Sequence, residues 1–183
     1  MEVPAYEPYH LRLATIEDVP ALHRLIDRSI RHLGGRVYDA RQIESSLTYV
    51  FGVDTALIRD KTYFVVEVEG EVVGAGGWSR RRTHYGGDQH LALRDDRLRD
   101  PAADPAAIRA FYVDPDWARR GIGSMIMEAS EAAAHKAGFR SFELLATLSG
   151  VPLYEHFGYR RLEAKVLNLP DGITLDGYHM AKP

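Results

Sequence analysis

The sequence predicts a mixed α/β fold in one domain, and three observations lead there. Short runs rich in β-branched and aromatic residues alternate with segments whose apolar residues recur at helical spacing. No repeat and no low-complexity linker divides the 183 residues, a length that suits a single core, so 1–183 reads as one domain. The elements follow the order β-α-α-β-β-β-α-β-α-β-β, with strands and helices mixed along the whole chain.

Residues 9–14, "YHLRLA", alternate and predict the first strand. Thr15 and Asp18 then have the spacing of a capping box, and Val19, Leu22, Leu25, Ile26 and Ile30 recur at helical spacing until Gly34 and Gly35 end the run. Pro20 falls early in that helix, where it costs least. A second helix is predicted over 39–51, "DARQIESSLTYVF". "TYFVVEV" (62–68) and "EVVGAGGWS" (71–79) then form a hairpin, in which Gly74, Gly76 and Gly77 predict a bulge or a close backbone approach. Residues 80–107 are polar, charged and proline-bearing, and a connection of that length predicts a functional or mobile loop.

"IRAFYV" (108–113) is a buried strand, broken by "DPDW". A helix follows over 120–137, with Ile122, Met125, Ile126, Ala129, Ala132 and Ala133 on one face and Gly138 as its stop. "SFELLAT" (141–147) is another strand and "PLYEHFG" (152–158) a short helix. "YRRLEAKVLNL" and "ITLDGYHMAK" close the chain as a strand pair, whose edge is open to pairing in a homodimer.

Composition narrows the function. A formal net charge of −3 and a pI near 6.2 argue against a dedicated nucleic-acid binder. The chain has no cysteine, which removes disulfides, thiolate nucleophiles and cysteine metal sites together. The start "MEVPAYEPYH" has neither a cationic nor an apolar run, so no signal peptide is expected. No segment approaches the roughly 18 apolar residues that span a bilayer, and the expected location is the cytoplasm.

The stretch "ARRGIGS" (118–124) carries the strongest local signal. It places Gly121 and Gly123 in the first turn of a helix, where glycine costs about 1 kcal/mol relative to alanine. The first N–H groups of a helix have no internal partner and carry partial positive charge, which suits a phosphate. Glycines remove the Cβ atoms that would hold a phosphate away, and Arg119 and Arg120 add charge. Ile126 stands where a dinucleotide fingerprint needs its third glycine, and no Gly-Lys-Ser/Thr follows. That disfavours a nucleotide-dependent oxidoreductase. A pyrophosphate cradle and a helix start with glycines for packing both remain open on these residues alone.

The strand with "VDPDW", then "RRGIGS", then a strand followed by "LYEHFGY" resemble, in that order, the acetyl-CoA-binding half of the GNAT superfamily of N-acetyltransferases. "LRLATIEDVPAL" is similar to that family's first strand and helix, so the resemblance spans roughly residues 10–181 and is most specific over 108–160. It implies a mostly antiparallel sheet with helices on both faces and a central parallel pair, 108–113 and 141–147, that splays apart. Acetyl-CoA would be the co-substrate, with no metal. Its pantetheine would lie along Phe111, Tyr112 and Val113, and its pyrophosphate on the amides of Arg119, Arg120, Gly121, Ile122, Gly123 and Ser124.

The implied reaction is direct acetyl transfer, in a ternary complex, to a primary amine of a small molecule or a protein. Tyr154 of "LYEHFG" matches the family's tyrosine, which protonates the leaving thiolate or contacts CoA, and Glu143 is the candidate base by type and location. Many members carry an asparagine shortly before the tyrosine. "ATLSGVPLY" has none, and Thr147 or Ser149 is left to make that contact. Ala118 stands where the family usually has glutamine or arginine. The missing asparagine and unassigned base keep a catalytically silent CoA-binding module as the alternative. The acceptor site is expected from Tyr38, Trp78, Arg80 and Tyr85, with Arg81, Arg82, His84, Asp88 and His90 nearby. The arginine run would meet an acidic acceptor or end a strand in solvent. The histidine spacing matches no strong metal pattern.

Overall fold

The computed structural model describes residues 9–90 and 94–183. Its elements are β1 (His10–Leu13), α1 (Val19–His32), α2 (Ala40–Tyr49), α3 (Thr55–Arg59), β2 (Tyr63–Val68), β3 (Glu71–Ser79) and β4 (Ala106–Val113). Then come α4 (Ile122–Lys136), β5 (Phe142–Thr147), α5 (Val151–His156), β6 (Arg160–Asn168) and β7 (Thr174–Lys182). The strands make one seven-stranded sheet in the order β1-β2-β3-β4-β5-β7-β6. Every neighbouring pair is antiparallel except β4 and β5, so the mixed, mostly antiparallel fold is as expected. The five-residue α3 was not anticipated; it is too short to show a helical period and is fixed by Asp54, whose carboxylate accepts from Ala56 N at 3.0 Å.

Helices cover both faces. On one, Leu22, Leu25 and Ile26 of α1 pack with Leu57, Tyr63, Val65 and Tyr112. On the other, Ile122 and Ile126 of α4 meet Val66 and Val73, while Met127 packs among Ile108, Leu144 and Tyr154. Val65 and Val66 are successive residues of β2 and therefore point to opposite faces. At the start of α1 the capping-box carboxylate is in place: Asp18 accepts from Thr15 N at 2.7 Å, and Arg12 forks onto both its oxygens at 2.8 Å.

The buried stripe of α4 is Ile122, Ile126, Met127, Ser130 and Ala134, a correction to the expected face. Met125, Ala129 and Ala133 are half-buried and Ala132 is exposed. Alanines on several sides of the helix left its orientation undecided. The glycines of β3 decide it. A Cβ at Gly74 would lie 2.4 Å from Ile122 Cγ2, and one at Gly76 would lie 2.9 Å from Ile126 Cγ2. The backbone of β3 and the isoleucine row of α4 therefore approach closely only because those side chains are missing.

Two features of β4 shape the centre of the sheet. Ala75 pairs with Tyr112 and Gly77 with Arg109, so two residues of β4 stand opposite Gly76 alone. This is the bulge that the glycines predicted. Ala110 sits in it at φ +58°, and its carbonyl accepts from Tyr63 Oη at 2.8 Å. The second feature is the splay. β4 and β5 pair at Ala106–Phe142 and Ala107–Glu143, and among the described residues no ladder pair follows. β5 instead stays with β7 from Phe142–Lys182 to Thr147–Gly177. The two parallel strands open into a V whose vertex is the Ala107–Glu143 rung.

Residues 80–90 and 94–105 are less loose than their composition suggested. Arg82 N donates to Arg97 O at 3.0 Å, Thr83 N to Asp95 O at 2.9 Å and Arg99 N to Arg80 O at 2.7 Å. Inside, buried Arg109 of β4 reaches Asp54 at 2.9 Å, Gly86 O at 2.9 Å and Thr83 O at 3.1 Å, and Arg94 takes the other Asp54 oxygen at 2.8 Å. Charges that read as solvent-facing are spent on internal pairs. Among the described residues no helix is long and apolar enough to cross a membrane.

Candidate active site

The wall of the V is the free edge of β4. Asp114 gives its N–H to Val73 O on β3 at 2.9 Å. Successive N–H groups of a strand alternate between its edges, so Val113 turns its N–H the other way, into the V. Beyond Ala107 that edge meets no partner strand among the described residues.

The chain then turns through Pro115–Trp117 into α4. Asp114 caps this turn by accepting from Asp116 N at 2.9 Å, and Arg28 of α1 pins it with bonds of 3.0 Å to Asp114 and to Asp116. Arg119 and Gly121 both have left-handed backbone, at φ +64° and +83°. A turn of this kind curls successive N–H groups toward one point. Gly121 is the N-cap of α4, and the first bond of that helix runs from Met125 N to Gly121 O at 3.0 Å. Among the described residues no acceptor meets the amides of Gly121, Ile122, Gly123 and Ser124. The space beside Gly121 is open, whereas a Cβ at Gly123 would lie 3.1 Å from Leu153 of α5. The two glycines thus have separate reasons: backbone shape and open space at 121, helix packing at 123. Arg119 and Arg120 are exposed, and the Arg120 guanidinium lies 4.8 Å above the Trp117 ring.

α5 carries Tyr154 to the inner side of the V. Its ring is 9% exposed and packs edge-on against Phe111 of β4 at 6.2 Å and against Tyr159 at 6.1 Å. Its hydroxyl bonds to no group among the described residues. Burial pushes the phenol above its ordinary value, so it stays protonated at neutral pH. At the far end of β5, Thr147 Oγ1 lies 3.1 Å from Ser149 Oγ.

Glu143 belongs to a different face. Phe142, Leu144 and Ala146 of β5 share the Tyr154 cluster, and Glu143 alternates with them toward the other side. There it lines a pocket of about 450 Å³ together with His84, Tyr85, Arg99 and the ion pairs Arg82–Asp104 and Arg97–Asp95. Arg99, itself buried, donates to Glu143 Oε1 at 2.6 Å, His179 Nε2 lies 3.0 Å from Oε2, and His84 Nδ1 stands 3.6 Å from Oε1. Burial works to raise the Glu143 pKa, but the Arg99 bond and charge and the His179 bond outweigh it and hold the carboxyl below its ordinary value.

The expected acceptor residues separate. Tyr85 lines the pocket, stacked on His90 with centroids 5.0 Å apart. Trp78 does not: at 3% exposure it packs edge-on against Phe139 at 5.7 Å, because its position on β3 faces the core. Arg80 lies outside the pocket, its guanidinium 5.2 Å over Trp78. Tyr38 is buried and structural, donating to Asp176 O at 2.6 Å and accepting from Leu148 N at 3.1 Å. Arg81 forks onto Asp60, and Asp88 accepts from Thr55 N at 3.0 Å. No cluster that could hold a metal ion occurs among the described residues. Arg99 and His179 were missed by sequence reasoning, since their partner Glu143 lies 44 and 36 positions away.

Known proteins share this fold. A model of the acetyltransferase (GNAT) domain matches residues 59–161. The GCN5-related N-acetyltransferase from Rhodopseudomonas palustris superposes with a TM-score of 0.69 at 20% identity, covering 94% of each chain. The paiA N-acetyltransferase from Thermoplasma acidophilum, solved in complex with coenzyme A, gives 0.58 at 14% identity over 95% of this chain and 98% of that one. An N-acetyltransferase from Staphylococcus aureus Mu50 gives 0.60 at 16% identity over 95% and 97%. At these identities the likeness is one of fold. No curated protein matches the chain. The family match spans more than half the chain and takes in the bulged strand, the amide turn and the α5 tyrosine, and so the chain belongs to the GNAT acetyltransferase domain family.

Proposed function

We propose that the protein moves an acetyl group from acetyl-CoA to a primary amine by direct attack in a ternary complex, the whole chain acting as one domain. The observation that carries this reading is the open V, with the unmet amides of α4 at its wide end. The donor set fits coenzyme A: an unpaired strand edge suits the amides of pantetheine, and an open left-handed turn at Gly121 suits a pyrophosphate. Acetyl-CoA would supply the activated acyl group as a thioester.

The residues divide the work. The amides of Gly121, Ile122, Gly123 and Ser124 grip phosphate oxygens, with Arg119 and Arg120 adding charge at the rim. Phe111, Tyr112 and Val113 present the β4 edge as a partner strand. A backbone N–H on that free edge stabilises negative charge as it develops on the carbonyl oxygen. Tyr154 donates a proton to the departing sulfur, and its burial keeps that proton available. The acceptor enters from the pocket on the opposite face, which reaches the vertex of the V at Glu143. Donor and acceptor thus approach from two sides, as a ternary complex requires.

Mixing the purified protein with acetyl-CoA and a panel of amines, and following free thiol, tests this directly. Amine-dependent thiol release is expected, together with coenzyme A binding in calorimetry. Absence of coenzyme A binding overturns the reading. Binding without turnover of any amine replaces it with the catalytically silent module.

A further inference from the structure

We propose that His84 takes the proton from the acceptor amine, with Glu143 as the positioning residue whose charge faces its ring. This rests on the acetyl-transfer reading and names the base that the reading lacks.

Geometry separates the two groups. Glu143 occupies the last rung of the β4–β5 ladder, so its carboxylate stands at the vertex of the V. Yet its oxygens are committed. Arg99, with a side chain only 5% exposed, holds Oε1 at 2.6 Å, and His179 holds Oε2 at 3.0 Å. A carboxylate locked between two donors is a poor proton acceptor and a good anchor. His84 is the reverse. Its side chain is 52% exposed and lines the pocket, and Nδ1 faces Glu143 Oε1 at 3.6 Å. The two ring nitrogens lie on opposite sides of an imidazole, so Nε2 is the one left for a ligand. His179 already spends Nε2 on Glu143 and is half as exposed, at 25%.

The groups around His84 come from four elements: Glu143 on β5, His179 on β7, Arg109 on β4, and Arg99 from the segment before β4. Burial lowers the imidazole below its ordinary value, Glu143 opposes this, and Arg99, His179 and Arg109 add to the lowering. The ring is therefore neutral near pH 7, the state that accepts a proton. In the step, the amine nitrogen bonds to the carbonyl carbon and the carbon–sulfur bond breaks. The amine proton passes to His84 Nε2 and the sulfur takes the Tyr154 proton. Solvent then carries the His84 proton back to the Tyr154 phenolate, so the enzyme ends as it began.

The test compares wild type, His84→Gln and Glu143→Gln on the amine that wild type acetylates fastest, with kcat/KM measured across pH and coenzyme A affinity measured separately. His84→Gln is expected to lose roughly 100-fold in kcat/KM. It should also lose one unit of slope from the acid limb, with coenzyme A affinity unchanged. Glu143→Gln should move that limb to lower pH, because the imidazolium loses its counter-charge; a purely structural role would leave the limb where it is. If Glu143→Gln fails to fold, the exposed His84 site decides alone. An active wild type with His84→Gln within threefold of it, acid limb intact, overturns His84 as the base. A wild type that binds coenzyme A and acetylates no amine instead overturns the acetyl-transfer reading, and His84 with it.

Discussion

The hydroxyl of Tyr63 and the carbonyl of Ala110 meet at 2.8 Å across the width of β3. A residue of β2 thereby fixes the bulge of β4, although the two strands are not neighbours in the sheet. The bulge matters because Ala110 holds a left-handed backbone that costs an L-residue roughly 1–2 kcal/mol. It turns the following three residues, Phe111 to Val113, so that their free edge lines the V.

Tyr63→Phe removes this donor from the Ala110 carbonyl while keeping the ring in the core. The loss is expected to be about 1 kcal/mol, the usual worth of one partly buried hydrogen bond. Urea unfolding measures it. Coenzyme A affinity should fall with it, because the bulge sets the edge that binds pantetheine. A variant that loses stability and keeps full affinity would show that the edge does not depend on this bond.

The two glycines of "RRGIGS" should respond differently. Gly121→Ala puts a methyl group into open space on a backbone at φ +83°, at a strain of roughly 1–2 kcal/mol, and crowds the amides meant for phosphate. Coenzyme A binding is expected to weaken about tenfold or more for each 1.4 kcal/mol lost. Gly123→Val should instead push against Leu153 and act first on the seating of α5. Calorimetry beside thermal unfolding separates the effects: both variants lose stability, and 121 loses affinity beyond what its strain explains. Ala118→Gln, outside the amide turn, is expected to leave both unchanged.

The Asp54–Arg109 pair anchors the segment that shapes the pocket. Both side chains are buried, and Arg109 also holds the carbonyls of Thr83 and Gly86. Asp54→Asn leaves Arg109 and Arg94 without their counter-charge and is expected to cost about 3–5 kcal/mol, the usual penalty for breaking a buried pair. Urea unfolding reads the cost. Arg94→Ala, which leaves the inner pair intact, should cost clearly less.

These predictions mark where the sequence was legible. The strands and α1 announce themselves through period and β-branched composition, and the order of motifs gave the splay between 108–113 and 141–147. The three glycines of β3 spoke for a bulge or a close approach, and the structure has both. Four things stayed hidden, each for a physical reason. The Arg99–Glu143–His179 group joins residues far apart in the chain. The face of α4 was obscured by alanines around the helix. The order in 80–90 and 94–105 stayed hidden because paired and solvated arginines look alike in a sequence. Trp78 and Tyr38 suit a binding site by type, and only packing shows that they belong to the core and to a strap onto β7.

Tyr154→Phe tests the last step of the chemistry. Wild-type Tyr154 has a hydroxyl with no bonding partner among the described residues and a ring wedged against Phe111 and Tyr159. Removing the oxygen should therefore leave stability and coenzyme A affinity close to wild type, while turnover falls roughly 100-fold, the usual worth of one positioned proton donor. The pH dependence carries the sign. Burial raises the phenol above its ordinary value of about 10, so the proton-bearing form persists through the neutral range and any basic limb from this group lies above pH 10. A basic limb near pH 8 that survives in Tyr154→Phe belongs to another group. A variant with wild-type turnover at every pH would remove Tyr154 from the mechanism and leave the sulfur to depart as a free thiolate.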